Sequence, residues 1–272
     1  MAYFSTDDNY RLYYDEYGDK NSQPMIFLYD LGGKRSFFSR QAEFFKGQYH
    51  VFVVDYRGHG AAEKAFRQLN LERLAKDLHC MVELNDLKDM ILVGNGLGAG
   101  IILSYIRAYG EENISTLVLM DERLKYICGD TWKYGFLQDE LAAVNYAKAM
   151  TYDWEKFAPG PLKEMLGEHY EVSETDQKFI TDSYLDNRNS IMIALTLGYI
   201  TQDYRDVAKG LTKPVLCTYG NNESQEKRDA VAEAARLFKN AKLAGFMGGS
   251  LHYYLDAAHF NEAVKGFLAE AR

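Results

Sequence analysis

Short apolar runs alternate with amphipathic stretches along most of this chain, and nothing else in it constrains the fold as strongly. Pro24 to Asp30 (PMIFLYD), His50 to Gly60, the run MILVG that begins at Met90, Ile114 to Glu122, Lys213 to Gly220 and Ala241 to Gly249 each read as a strand. Several are continuous rather than alternating in hydrophobicity, the pattern of a strand covered on both faces. Tyr10 to Gly18 looks like an earlier strand with short-period character. Between these runs lie helical patterns. Leu71, Leu74, Leu78, Met81 and Val82 share one face of a helix over Leu71 to Asp86. Ser36 to Phe45, the stretch through Tyr105, the stretch RDAVAEAARLFKN and the final AAHFNEAVKGFLAEA read likewise. Strands alternating with helices predict an α/β chain with a mostly parallel central sheet flanked by helices.

The rhythm breaks between Glu122 and Lys209, where helical periodicity runs on with almost no strand signal and many Tyr, Trp, Met and Phe residues. This predicts a core of 1–121 and 210–272 with a helical cap inserted at 122–209. In open α/β sheets ligands bind beyond the carboxyl ends of the strands, so the glycine-rich and polar strand exits should gather under that cap. The chain has 272 residues and a net charge of -8, which disfavours a nucleic-acid or anionic-membrane partner. The N-terminal stretch MAYFSTDDNY lacks the basic and apolar regions of a secretion signal, and no apolar run approaches the roughly 20 residues of a membrane span. Cys80, Cys128 and Cys217 are an odd set without metal spacing. The expectation is reduced thiols in a cytoplasmic protein, with no metal, no cofactor and a small molecule as partner; oligomeric state is left open.

Five strand exits, in order, carry a resemblance. They are MIFLYDLGG, VFVVDYRGHG, LVGNGLGAG, PVLCTYGNNES and GGSLHYYLDAAHFNEAVKGFL. Together they resemble the α/β-hydrolase superfamily, in its capped small-molecule serine hydrolase branch. The resemblance implies that LVGNGLGAG is a nucleophile elbow, a strand-to-helix turn so tight that its middle residue is strained. It places Gly96 where the serine would stand, Glu223 as the acid with Asp121 as its rival, and His252 as the base. It makes the backbone N–H groups of Leu31 and Leu97 the oxyanion hole. Tyr29, Asp30, Trp132 and Trp154 are expected to border the pocket.

Two departures matter. Gly96 has no side chain, so acyl transfer to a serine is impossible. Either a serine was replaced deliberately or the protein lost it naturally; the survival of Glu223 and His252 favours a serine removed recently. Tyr29-Asp30 stands where the family usually has His-Gly, so a carboxylate lies near the oxyanion hole. It would oppose a developing oxyanion unless it points away or is paired. Three functions follow: a hydrolase scaffold for small carboxylic esters, lactones or related acyl compounds that lacks its nucleophile; a non-catalytic protein that binds a small ligand; and a cofactor-free lyase using His252.

Overall fold

A computed structural model describes residues 2–64, 67–129, 131–152 and 154–271, without the side chains of Trp154 and Glu155. Its centre is one eight-stranded sheet: β1 (Ala2–Ser5), β2 (Arg11–Tyr17), β3 (Pro24–Leu28), β4 (His50–Asp55), β5 (Met90–Asn95), β6 (Ile114–Met120), β7 (Val215–Gly220) and β8 (Ala241–Phe246). The spatial order is β1-β2-β4-β3-β5-β6-β7-β8. β1 pairs antiparallel with β2 and β2 with β4; every other pair is parallel. β4 and β5 are buried along their whole length, which is why their sequences show no polar alternation.

Helices follow the strands: α1 (Ser39–Phe45), α2 (Leu71–Leu84) and α3 (Leu97–Tyr109). Asn70 caps α2 by accepting from the Arg73 N–H, and the apolar face read from the sequence is the buried one. Between β6 and β7 come α4 (Glu140–Tyr152), α5 (Trp154–Phe157), α6 (Pro159–Leu166), α7 (Glu174–Leu185), α8 (Asn189–Ile200) and α9 (Arg205–Gly210). α10 (Gln225–Ala235), α11 (His252–Leu255) and α12 (Ala257–Glu270) complete the chain. Among the described residues no helix is long and apolar enough to cross a membrane.

The parallel strands point the same way, so the residues after β3, β5, β6 and β7 emerge along one edge of the sheet. Those residues are Tyr29 to Gly33, Gly96, Asp121 to Arg123 and Asn221 to Glu223. One strand has no counterpart in the sequence reading. β1 is four residues long with only Phe4 buried, too short for a pattern to register. It is held by its pairing with β2 and by Arg57, whose buried guanidinium binds both Asp8 oxygens at 2.9 Å.

Candidate functional site

The turn after β5 has the geometry its glycines suggest. Gly96 sits at φ 48° and ψ -112°, a backbone state that side chains rarely tolerate. The first turn of α3 then passes close to β3: a Cβ on Gly98 would lie 2.1 Å from the Leu28 carbonyl oxygen. This approach brings the Leu97 N–H to the loop after β3.

The Leu31 and Leu97 N–H groups do converge, and their shared acceptor is Asp30. Its Oδ1 accepts from both, each at 2.7 Å. The carboxyl group therefore fills the space between the two donors. It also takes the place of a side chain at the elbow, because a Cβ built on Gly96 would lie 2.1 Å from Asp30 Oδ1 and 2.3 Å from its Cγ. Burial pushes the Asp30 carboxyl up to about 6, against the lowering effect of the two N–H donors. The loop beneath is fixed by its own bonds. Tyr56 donates its hydroxyl to the Asp30 carbonyl at 3.0 Å, and the Gly32 N–H donates to His59 Nε2 at 3.2 Å. His59 is held neutral by burial, its pKa lowered to about 3.

Asp30, Leu31 and Gly96 form the floor of a cavity of about 140 Å³. Its walls come from the strand exits and from the helical segment between β6 and β7, among them Tyr126, Tyr146, Phe157, Tyr184 and Tyr199. Behind one wall the Tyr126 hydroxyl donates to that of Tyr199 at 2.7 Å, and Tyr199 donates to Glu122 Oε2 at 2.6 Å. Burial raises Glu122 to about 7.

The residues that the resemblance placed in a triad do not assemble as one. His252 is fully buried and does not line the cavity. Its Nδ1 faces the Gly249 carbonyl at 3.1 Å and its Nε2 faces Thr218 Oγ1 at 2.8 Å. These partners assign the proton to Nδ1 and leave Nε2 accepting from the threonine. Burial lowers its pKa to about 4, so the ring is neutral. Among the described residues neither Glu223 nor Asp121 is hydrogen-bonded to it. The loop residue that does line the cavity is Ser250, two positions earlier. Its Oγ donates to the Glu164 carbonyl at 3.3 Å.

Glu223 and Asp121 meet at Lys227 instead. Lys227 Nζ lies 2.9 Å from Glu223 Oε1, 2.7 Å from Asp121 Oδ2 and 3.9 Å from Glu164 Oε2. Burial opposes the Lys227 charge, but Asp121 and Glu223 outweigh it and hold the ammonium protonated. Burial, and next the nearby Asp121, push Glu223 up. Lys227 belongs to the first turn of α10, where a cation is unfavourable next to the helix dipole; the two carboxylates compensate. Sequence reading overlooked this lysine, four residues after Glu223 and in the first turn of the helix that follows it.

Three of the expected pocket residues lie elsewhere or are not described. Tyr29 is buried beneath the loop, its hydroxyl donating to Asp55 Oδ1 at 2.8 Å. Trp132 donates its Nε1–H to the Lys125 carbonyl at 3.0 Å and borders a separate surface hollow with Asp203 and Arg205. The Trp154 side chain lies outside the described residues. Arg123, Ser250 and Glu164 line the cavity without having been singled out.

Comparison with known proteins agrees with this architecture. A family model described as alpha/beta hydrolase fold matches residues 23–256. The chain is 22% identical over 257 residues to a non-heme chloroperoxidase of Streptomyces lividans, covering 91% of this chain and 92% of that protein. It is 30% identical over 113 residues to a non-heme chloroperoxidase of Burkholderia pyrrocinia, covering 41% of this chain and 40% of that protein. Among solved structures, an esterase from Exiguobacterium antarcticum superposes with a TM-score of 0.88 at 20% identity, over 98% of this chain and 99% of that one.

Proposed function

We propose that this chain, which belongs to the α/β-hydrolase fold family, keeps the family's hydrolase-like scaffold but binds a small ligand in its cavity without hydrolysing esters through a serine. The observation that carries this reading is the position of Asp30. Its carboxyl Oδ1 accepts from both N–H groups that would otherwise stabilise an oxyanion. A substrate carbonyl would have to displace that carboxyl, and an oxyanion would then form beside it. Gly96 fits the same reading, since any side chain there meets the Asp30 carboxyl within van der Waals distance. Asp30 and Gly96 act as a matched pair, which favours natural loss of the nucleophile over recent replacement of a serine. The helical segment 122–209 serves in this reading as the cap that closes the cavity.

A fluorophosphonate probe tests it. The chain as it stands and Gly96→Ser are both expected to remain unlabelled while folded. The triple variant Gly96→Ser, Asp30→Gly, Ser250→His restores a nucleophile, an empty donor pair and a cavity-facing imidazole, and is the variant expected to label. Rapid labelling of Gly96→Ser alone would show that Asp30 does not obstruct the site, and the reading would fail.

A second reading is favoured by the Asp30 carboxyl standing at about 6 on the cavity floor. A group with that affinity for protons can exchange them with a bound ligand near neutral pH. Proton-transfer chemistry here would run through Asp30 and not through His252, which faces Thr218. Turnover abolished by Asp30→Asn, with ligand binding retained, would select this reading.

A further inference from the structure

Arg123 follows the carboxyl end of β6 and lines the cavity, yet it is only 5% exposed. Its Nη1 is buried without a hydrogen-bond partner. Among the described residues no carboxylate lies within ion-pair distance of its guanidinium; the Phe136 ring stands 5.7 Å from Cζ, and Glu223 across the neighbouring hollow is near enough to feel the Arg123 charge without being bound to it. The contrast with Lys227 is direct. Both cations border the same space, but Lys227 is already bound by Asp121 and Glu223, so it has no free charge to offer. Leaving a buried guanidinium nitrogen unpaired is costly, and a carboxylate is the group whose planar, two-oxygen geometry matches it.

The rest of the cavity sets the shape of the molecule that would carry that carboxylate. A volume of about 140 Å³ suits a single six-membered ring, since an apolar cavity of roughly 150 Å³ holds benzene. The walls supply aromatic faces from Tyr146, Phe157 and Tyr184 together with Met150 and Met165. The floor carries Asp30, which repels an anion, so the charged end must lie away from it, toward Arg123. A second hollow of about 180 Å³ shares Arg123, Phe136, Glu164 and Lys227 with the first, and its Glu168, Glu223 and Glu226 carboxyls oppose an anion there, so the charged group must sit directly against the guanidinium.

We propose that the ligand is a small aromatic carboxylic acid, its ring held among the cavity tyrosines and its carboxylate bound by Arg123. This deepens the ligand-binding reading above and rests on it. Isothermal titration calorimetry at neutral pH with benzoate, benzamide and benzylamine reads the charge preference, because the three share a ring and differ in the head group. Benzoate is expected to bind, with benzamide weaker by about tenfold or more, the ordinary worth of a charge-assisted hydrogen bond, and benzylamine weaker still. Arg123→Met and Arg123→Gln are each expected to lose about tenfold or more in benzoate affinity while benzamide affinity stays as it was. The glutamine variant keeps a polar head of similar length, so the comparison survives if the methionine variant does not fold. Absence of benzoate binding up to its solubility, or unchanged benzoate affinity in a folded Arg123 variant, overturns the inference. Preference for benzylamine also overturns it, while leaving a non-hydrolytic binding protein with a cationic ligand. Fluorophosphonate labelling of the unaltered chain would instead overturn the binding reading itself, independently of which head group is preferred.

Discussion

At the scale of single residues, Asp30 decides what the elbow can do, and its environment makes a pH signature. Burial raises its pKa to about 6 in the folded chain, above the value near 3.9 of an unfolded aspartate. The folded state therefore holds this proton more tightly. The stabilisation is complete below the unfolded value and is lost as pH rises through about 6. Asparagine offers the same oxygen to Leu31 and Leu97 and cannot ionise. Asp30→Asn is thus expected to gain stability relative to the unaltered chain between about pH 4 and pH 7. Urea unfolding of both proteins across that range measures the difference. The opposite slope would mean that the two N–H donors outweigh burial and hold the group ionised. Much of this locality was readable beforehand. The glycines of LVGNGLGAG mark the turn at Gly96, and the family resemblance implies Leu31 and Leu97 as the two donors. The sequence raises Asp30 as a conflict but cannot show that the carboxyl itself sits on the donors, since that depends on a side-chain rotamer.

At the scale of elements, the loop from β8 into α11 shows where reading a pattern fails. GGSLHYYL contains one histidine, and a histidine is what the resemblance asks for. Which residue reaches the cavity depends on where the loop turns into α11, and that helix begins at His252 itself. The imidazole is carried inward onto Thr218 and Ser250 takes the cavity side. A two-residue change of direction in a loop leaves no trace in hydrophobicity. The start of α10 is a clearer case of chemistry spread over elements: the exit of β6 supplies Asp121, the exit of β7 supplies Glu223, and the helix supplies the lysine between them. Lys227→Met would leave two carboxyl groups buried side by side without their cation. The expected cost, largest where Glu223 is ionised, is about 3–5 kcal/mol, falling as the pH is lowered and Glu223, pushed up by burial, takes up a proton. Denaturant midpoints at about pH 9 and about pH 6 measure it. An equal loss at both would assign Lys227 a packing role in place of an electrostatic one.

At the scale of the whole molecule, the chain divides into parts of unequal cohesion. The sheet was legible because β3, β4, β5 and β6 bury nearly every residue, and burial on both faces writes itself into sequence as an unbroken apolar run. The segment between β6 and β7 was legible as helical but not in detail. α8 buries Ile191, Met192, Leu195, Tyr199 and Ile200, but α4 leaves Leu141, Val144 and Tyr152 exposed. α4 buries only Ala143, Ala147 and Met150, and α6 only Met165. Regions with little buried apolar surface open at lower free energy than the core of the same protein. Native-state hydrogen exchange is therefore expected to show α4 and α6 exchanging through local opening, while the amides of β3, β5 and β6 exchange only with global unfolding. Met150, Met165 and Tyr146 belong to that segment and also line the cavity, so opening it uncovers the site. A ligand that binds only the closed form must then slow exchange in α4 and α6 by the same concentration-dependent factor as in the sheet, since neither the opened nor the unfolded chain holds it. Equal protection of α4 and β5 in the free chain would show that the cavity is closed by a rigid wall, and that a ligand enters by some path other than the parting of these helices.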